Sequence, residues 1–335
     1  MAALPATCVS CTTSLKSGGL CGDKAFTCES PDCNNTLCKT CFGQRPLWVG
    51  QDLTNGAVQR LCPTCFQQRS TLSFDNTMYD STASSTSSNT TFVFVHGASG
   101  CREMFRPHAV ALHAQYGHGY ILLDLPGHGT LVDTALTLES CVDTVQRVLS
   151  QCALPSTERL VYVGASLGAY VGFHVLQHLP NVFHGAVLLD CGQNVGPDRG
   201  MAARAGLVVL KAIAENSSNY SMMNMMMGAS KKSKADYHLV DTVYGAGMWF
   251  DQAAAHVECL RSVSPAECLA HIQNCPILYL NGSEDHRDSE QRWLEASSQD
   301  KSLLHVYEGG DHFFTHDSRF VDDMLERMHT FQESL

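Results

Sequence analysis

The sequence predicts an α/β domain, a mostly parallel sheet flanked by helices, preceded by a small cysteine-rich module. Three observations predict it. From residue 91 onward, short apolar runs end in glycine-rich turns and alternate with helical stretches, the pattern of a parallel sheet covered on both faces. Nine of the 16 cysteines lie within the first 65 residues, whereas all 16 histidines lie at position 96 or later. Between these regions, residues 81–91 read STASSTSSNTT, with almost no apolar area to bury, so a linker or exposed loop is expected there.

Composition sets the outer limits. With 335 residues, 44% apolar and only 16% charged, the chain has ample material for a buried core and is too apolar to be disordered. The length suggests two domains. A net charge of −11 argues against a general nucleic-acid binder, which would show a basic face. Residues 1–75 carry six basic and five acidic side chains, so nearly all the negative charge belongs to the rest. No run of about 18 apolar residues is present, so no transmembrane segment is expected. The first residues lack a basic stretch followed by an apolar one, and a cytoplasmic location is the expectation.

The first element is the cysteine module, residues 1–69. Cys8 and Cys11, Cys38 and Cys41, and Cys62 and Cys65 are C-x-x-C pairs, and Cys28 and Cys33 are separated by four residues. Such spacing lets two thiolates reach one tetrahedral zinc, and two pairs close a site. A region this small, with few large apolar residues, needs a staple to fold. Disulfides are the alternative, but they suit secreted chains. Cys21 is a ninth thiol that could replace Cys28.

The order of pairs resembles the cross-braced RING, PHD and FYVE fingers. The resemblance implies two structural zinc ions, one on Cys8, Cys11, Cys38 and Cys41, the other on Cys28, Cys33, Cys62 and Cys65. Cys62-Pro63-Thr64-Cys65 looks like the last pair of a RING finger, yet Thr12 stands where RING ligases usually have an aliphatic residue. Arg60 stands where PHD fingers usually have an aromatic one, and the basic, His-rich string of FYVE fingers is missing. Ubiquitin transfer, histone reading and lipid binding are each unsupported, which leaves a protein partner as the default expectation.

Residues 70–90 form the linker or a degenerate opening hairpin. The next elements are strands, at 91–95, 120–123, 160–163, 186–189, 277–280 and 303–307. The first runs into His96-Gly97-Ala98-Ser99-Gly100 and the second into Asp124-Leu125-Pro126-Gly127-His128-Gly129. The third runs into Gly164-Ala165-Ser166-Leu167-Gly168 and then a helical stretch. This last segment fits G-x-S-x-G, in which a serine sits on a strand-to-helix turn too sharp for neighbouring side chains. A serine hydroxyl needs a base, and the base needs an orienting carboxylate. Asp285 follows the strand at 277–280, and His312 follows the strand at 303–307, both at carboxyl ends of strands, the edge where such sheets bind ligands. Glu284, Asp288 and Asp190 are rival acids, Asp190 because it too ends a strand. The remaining histidines, His96 and His128 included, read as structural loop or core residues.

These motifs, in this order over residues 91–335, resemble the α/β-hydrolase superfamily. The resemblance implies the α/β-hydrolase fold, a Ser166–His312–Asp285 triad, and an oxyanion hole from the backbone N–H groups of Ala98 and Leu167. It implies no cofactor for catalysis and a small-molecule carboxylic ester or thioester cleaved through an acyl-serine. Serine at position 166 argues against the superfamily members that attack through a carboxylate. An acyltransferase would use the same three residues. A different class, a zinc-finger adaptor or RING-like ubiquitin ligase with a non-catalytic hydrolase-fold domain, is the further alternative. Family members usually open with a strand pair some twenty residues before His-Gly; here only 72–74 and 78–79 could supply it. Residues 192–272 fall where the family inserts a helical cap, and they hold Met222, Met223, Met225, Met226 and Met227, flexible thioethers suited either to helix packing or to an irregular apolar pocket.

Overall fold

The computed structural model describes residues 26–37, 46–74, 77–86, 88–192, 201–285, 289–297 and 301–335. The described residues of the N-terminal part hold two antiparallel ribbons. Strands β1 (Phe26–Thr27) and β2 (Thr36–Leu37) pair, and β3 (Pro46–Gly50) pairs with β4 (Gly56–Arg60). Helix α1 (Pro63–Arg69) follows, with proline at its first turn, where a missing N–H costs nothing.

Next come β5 (Tyr79–Thr82), β6 (Thr90–Val95), helix α2 (Arg106–Tyr116), β7 (Gly119–Leu123), α3 (Leu138–Gln151), β8 (Arg159–Ala165), α4 (Leu167–His178) and β9 (Gly185–Leu189). Helices α5 (Met201–Asn216) and α6 (Asn219–Ser230) and a π-helical turn, Val240–Tyr244, lead to α7 (Ala253–Ser262) and α8 (Pro265–Leu269). The chain closes with β10 (Ile277–Gly282), α9 (Ser289–Ala296), β11 (Leu303–Tyr307) and α10 (Ser318–Glu333).

Among the described residues, seven strands form one sheet in the order β11-β10-β9-β8-β6-β7-β5, all parallel except the edge strand β5, antiparallel to β7. The expected parallel sheet is therefore present. Strands β6 to β10 are buried along their length except at Arg159, the first residue of β8, which explains why they read as apolar runs rather than alternating ones. One face packs on Phe105, Leu112 and the inward side of α10; the other packs on α3, α4 and residues of α7 and α8. No helix among the described residues is long and apolar enough to cross a membrane.

Two local expectations change. Residues 81–91 do not form a free loop at either end. Ser81 and Thr82 belong to β5, and Thr90 and Thr91 begin β6, each only 1% exposed. Threonine suits a pleated strand, and each hydroxyl has a partner: Thr90 Oγ1 donates to Gln332 and Thr91 Oγ1 to Glu158. The sheet also opens with the single strand β5 rather than with a pair at 72–74 and 78–79. Leu72 is instead buried in a cluster with Cys28, Cys62, Cys65 and Phe66.

A buried ion pair ties the entry of the chain to the sheet. Arg102 Nη1 lies 2.7 Å from Asp124 Oδ2, with both side chains almost fully buried. Arg102 also donates to the Ser73 and Thr77 carbonyls, while Asp124 accepts from the Arg102 and Thr130 N–H groups. Every strong donor and acceptor here depends on its neighbour. Asp124→Ala should strand a buried guanidinium and cost about 3–5 kcal/mol, read as a lower denaturant midpoint in urea. A midpoint within error of the parent would mean that the pair contributes nothing net.

Candidate active site

Ser166 stands where β8 becomes α4. Its backbone sits at φ 50° and ψ −115°, a conformation costly for a residue with a side chain. The flanking glycines make the turn possible. A Cβ at Gly164 would lie 2.4 Å from the Gly168 carbonyl oxygen, and one at Gly168 would lie 2.4 Å from that of Val95. Strand and helix meet so closely that only hydrogen fits between them, and the serine hydroxyl is thrown outward.

The structure brings the three expected residues together. His312 Nε2 lies 3.1 Å from Ser166 Oγ, and His312 Nδ1 lies 2.7 Å from Asp285 Oδ2. Asp285 lies just past β10 and His312 just past β11, adjacent parallel strands, so their turns rise side by side. Glu284 is exposed, while Asp288 lies outside the described residues. Asp190 is close: one of its carboxylate oxygens lies within 4.8 Å of the Asp285 and His312 ligand atoms, and its Oδ1 has no hydrogen-bond partner. It does not, however, hold the ring. Burial pushes the Asp190 carboxyl well above the usual carboxylate range. For His312, burial works against a charge, but the hydrogen bond to Asp285 and the nearby Asp190 and Asp311 outweigh it and push the ring up to about 9. With 44% of that side chain exposed, solvent screening moderates the rise.

Ala98 and Leu167 flank the serine from two turns. Among the described residues, no hydrogen bond engages the N–H of either. The turn that carries Ala98 is held by two of the histidines read from the sequence as structural, His96 and His128. His96 Nε2 accepts from the Leu125 N–H at 3.0 Å, and His128 Nε2 accepts from the Ser99 N–H at 3.2 Å. Each histidine thus grips the other's turn. Their Nδ1 atoms face the Gly97 and Pro126 carbonyls, which requires a proton on Nδ1 and leaves Nε2 as the acceptor. Burial keeps both rings neutral, His96 being pushed down to about 4 and His128 well below the ordinary histidine value. The only signal for this role in the sequence was that both histidines sit beside glycines in strand-end turns.

Ser166, His312 and Ala98 open onto a cavity of about 300 Å³. Its walls are chiefly apolar: Met104, Met222, Met225, Met226, Leu239, Val243, Met248, Phe250, Leu260 and Phe313. The methionine run therefore does both things expected of it: Met222 and Met226 line the cavity, while Met223 and Met227 pack behind it.

A second cluster lies apart from the first. The Sγ atoms of Cys28, Cys33, Cys62 and Cys65 all lie within 4.8 Å of one another, and none is in a disulfide. The Cys33–Cys62 separation is 3.7 Å, close to the edge of about 3.8 Å for a tetrahedron with zinc–sulfur bonds of about 2.3 Å. Asn35 Nδ2 and the Cys62 N–H donate to two of the sulfurs, as thiolate ligands are commonly supported. These are the four cysteines expected to share one metal, and the donor set fits zinc. Cys8, Cys11, Cys38, Cys41 and the spare Cys21 lie outside the described residues.

The same fold recurs in solved structures of distant sequence. MenH from S. aureus superposes with a TM-score of 0.61 at 15% identity, over 77% of this chain and 98% of that one. A thermophilic esterase from Thermogutta terrifontis gives 0.57 at 18% identity, over 76% and 93%. A lipase-esterase related protein from Clostridium acetobutylicum gives 0.57 at 15%, over 76% and 100%. No curated protein matches the sequence. The model of the Alpha/beta hydrolase family matches residues 92–325, more than half of the sequence and all of the strand-end turns described above, and the chain belongs to that family.

Proposed function

We propose that the chain is a serine hydrolase that cleaves carboxylic esters or thioesters with an apolar acyl group through an acyl-serine intermediate. The observation that carries this reading is the unbroken relay Asp285–His312–Ser166 opening onto an apolar cavity. Ser166 Oγ attacks the acyl carbon as His312 Nε2 takes its proton, and Asp285 holds the imidazolium that forms. The negative charge on the carbonyl oxygen falls to the N–H groups of Ala98 and Leu167. Collapse of this intermediate breaks the bond to the alcohol or thiol, which leaves with the proton from His312. Water then gives a proton to His312 and attacks the acyl-serine, releasing the acid and restoring the serine. Two structural neighbours, a thermophilic esterase and a lipase-esterase related protein, agree with this chemistry, although at their identity they share only the fold.

The cysteine module, residues 1–69, belongs to the same proposal as a two-zinc finger with a structural metal role, a protein partner and a cytoplasmic location. A binding-only role for the hydrolase domain has no use for the aligned relay.

Ser166→Ala should abolish labelling by a fluorophosphonate probe and lower turnover of p-nitrophenyl esters by at least about 10⁴-fold, with circular dichroism unchanged. Labelling that survives the substitution would place the nucleophile elsewhere. Asp285→Asn should lower kcat by about 10⁴-fold, and Asp190→Asn by far less. The reverse ranking would assign the orienting acid to β9.

The pH profile follows from the raised His312. Its imidazolium cannot accept the Ser166 proton, so kcat/KM should fall as pH drops through the ring's value. The acidic limb should have its midpoint above the ordinary histidine value of 6.5. A midpoint at or below 6.5 would show that the three neighbouring carboxylates do not act on the ring in the free enzyme.

A further inference from the structure

The described part of the cysteine module and the cavity beside Ser166 are packed together. We propose that a zinc ion on Cys28, Cys33, Cys62 and Cys65 holds the outer wall of the cavity, so that the metal site governs which acyl groups are accepted. The inference rests on the hydrolase reading for its substrate and on packing for its mechanism.

Three lines of contact join the metal cluster to the wall. The first runs through α1, which begins between Cys62 and Cys65. Phe66 meets the Trp249 ring edge-on at 5.5 Å. It also lies against Gly247, held at φ +98°, where a Cβ would come within 2.5 Å of the phenyl ring. Trp249 sits between Met248 and Phe250, both of which line the cavity, and its backbone N–H donates to the Ser99 carbonyl in the turn beside Ala98. The second line follows α1 directly. Ser70 Oγ donates to the Ala246 carbonyl, the Thr71 N–H to that of Gly245, and Thr71 Oγ1 to that of Asp241. Three bonds thus pin the segment that carries Val243 and Tyr244 into the wall.

The third line is the β3–β4 hairpin, which leads straight into Cys62. Trp48 and Val58 share a buried cluster with Met222, Met223, Met227, Leu239 and Met248. The Arg60 guanidinium lies 4.1 Å over the Tyr220 ring, and Lys231 stands over Trp48. Near the metal cluster, the Glu29 carboxylate accepts from the Arg60 N–H and guanidinium, and the Glu29 N–H donates to the Arg60 carbonyl. Hairpin and cysteines therefore move together.

The dependence on metal follows from the module's size. Its ribbons are two and five residues long and α1 has seven residues, lengths that are unstable without tertiary support. Four free thiols at ligand spacing supply that support once a zinc ion joins them. Released, α1 would take Phe66 away from Trp249 and Gly247, and the methionine-lined wall would lose its backing.

The experiment uses the full chain as isolated. Zinc is counted by elemental analysis, then removed with a strong chelator under reducing conditions while tryptophan emission is followed. Trp48 and Trp249 lie in this interface, and Trp293 lies in the main core. The expected result is at least one zinc per chain, a red shift of emission on its removal, and reversal on adding zinc back. In parallel, kcat/KM for a long-chain p-nitrophenyl ester should fall by about 10–100-fold relative to the acetate ester. Fluorophosphonate labelling of Ser166 should persist. Phe66→Ala keeps all four thiols, so it should keep its zinc and yet shift the chain-length preference in the same direction. Absence of zinc, or removal that leaves emission and chain-length preference unchanged, overturns the proposal. If the loaded chain neither labels nor hydrolyses any ester, the hydrolase reading fails instead, and the emission change alone decides whether metal holds the wall.

Discussion

The site depends on one backbone constraint, the positive φ of Ser166. Its N–H is fixed by the Leu189 carbonyl of the neighbouring strand, and its carbonyl accepts from the Ala169 and Tyr170 N–H groups at the start of α4. A seryl residue would leave this conformation, at a gain of about 1–3 kcal/mol, if either side were loose. Neither side is. Strand β8 lies in the middle of the sheet, paired on both edges, and the Tyr162 hydroxyl donates to the Gly168 carbonyl at 2.7 Å. The buried sheet thus holds the strain, and the strain puts Oγ within reach of His312.

The histidines divide by what surrounds them. His96, His128 and His256 lie together, the last two stacked at 4.6 Å between ring centres. A charge on one would face another imidazole, and burial pushes all three down. As neutral rings they have an acceptor nitrogen for a backbone N–H, which is what the two strand-end turns require. His312 stands among Asp190, Asp285 and Asp311, and the same side chain becomes basic there. One residue type therefore supplies both a rigid acceptor that fixes the turns and a base that can take a proton.

Much of this site was legible because its parts are local. G-x-S-x-G, the aspartate after β10 and the histidine after β11 each declare themselves through a strand and its following turn, and the order of those turns limits the rest. The choice between Asp285 and Asp190 was not local. Both acids end apolar strands, and only the register of β10 beside β11 brings the Asp285 carboxylate against Nδ1. The grip of His96 on Leu125 and of His128 on Ser99 was hidden for the same reason, since each bond spans 29 residues. At Thr90 the polar composition misled, because a hydroxyl paired with Gln332 can be buried at little cost.

Composition also drew a boundary that packing does not respect. Cysteine density falls sharply after Cys65, yet Cys101, Ala246 and Trp249 share one buried cluster with Cys28, Cys62 and Cys65. The segment between them is not slack either, since Arg102 holds the Ser73 and Thr77 carbonyls. There is a physical reason for so close a junction. A cavity walled by Met222, Met226 and Met248 is lined by unbranched side chains that fill space without defining a shape. Stiffness must come from whatever stands behind them. Here that is Trp48 on a five-residue ribbon and Phe66 on a seven-residue helix, large flat side chains with few rotamers on elements anchored at the cysteine cluster. A sequence reader sees a finger and an enzyme; the side chains between them form a single wall.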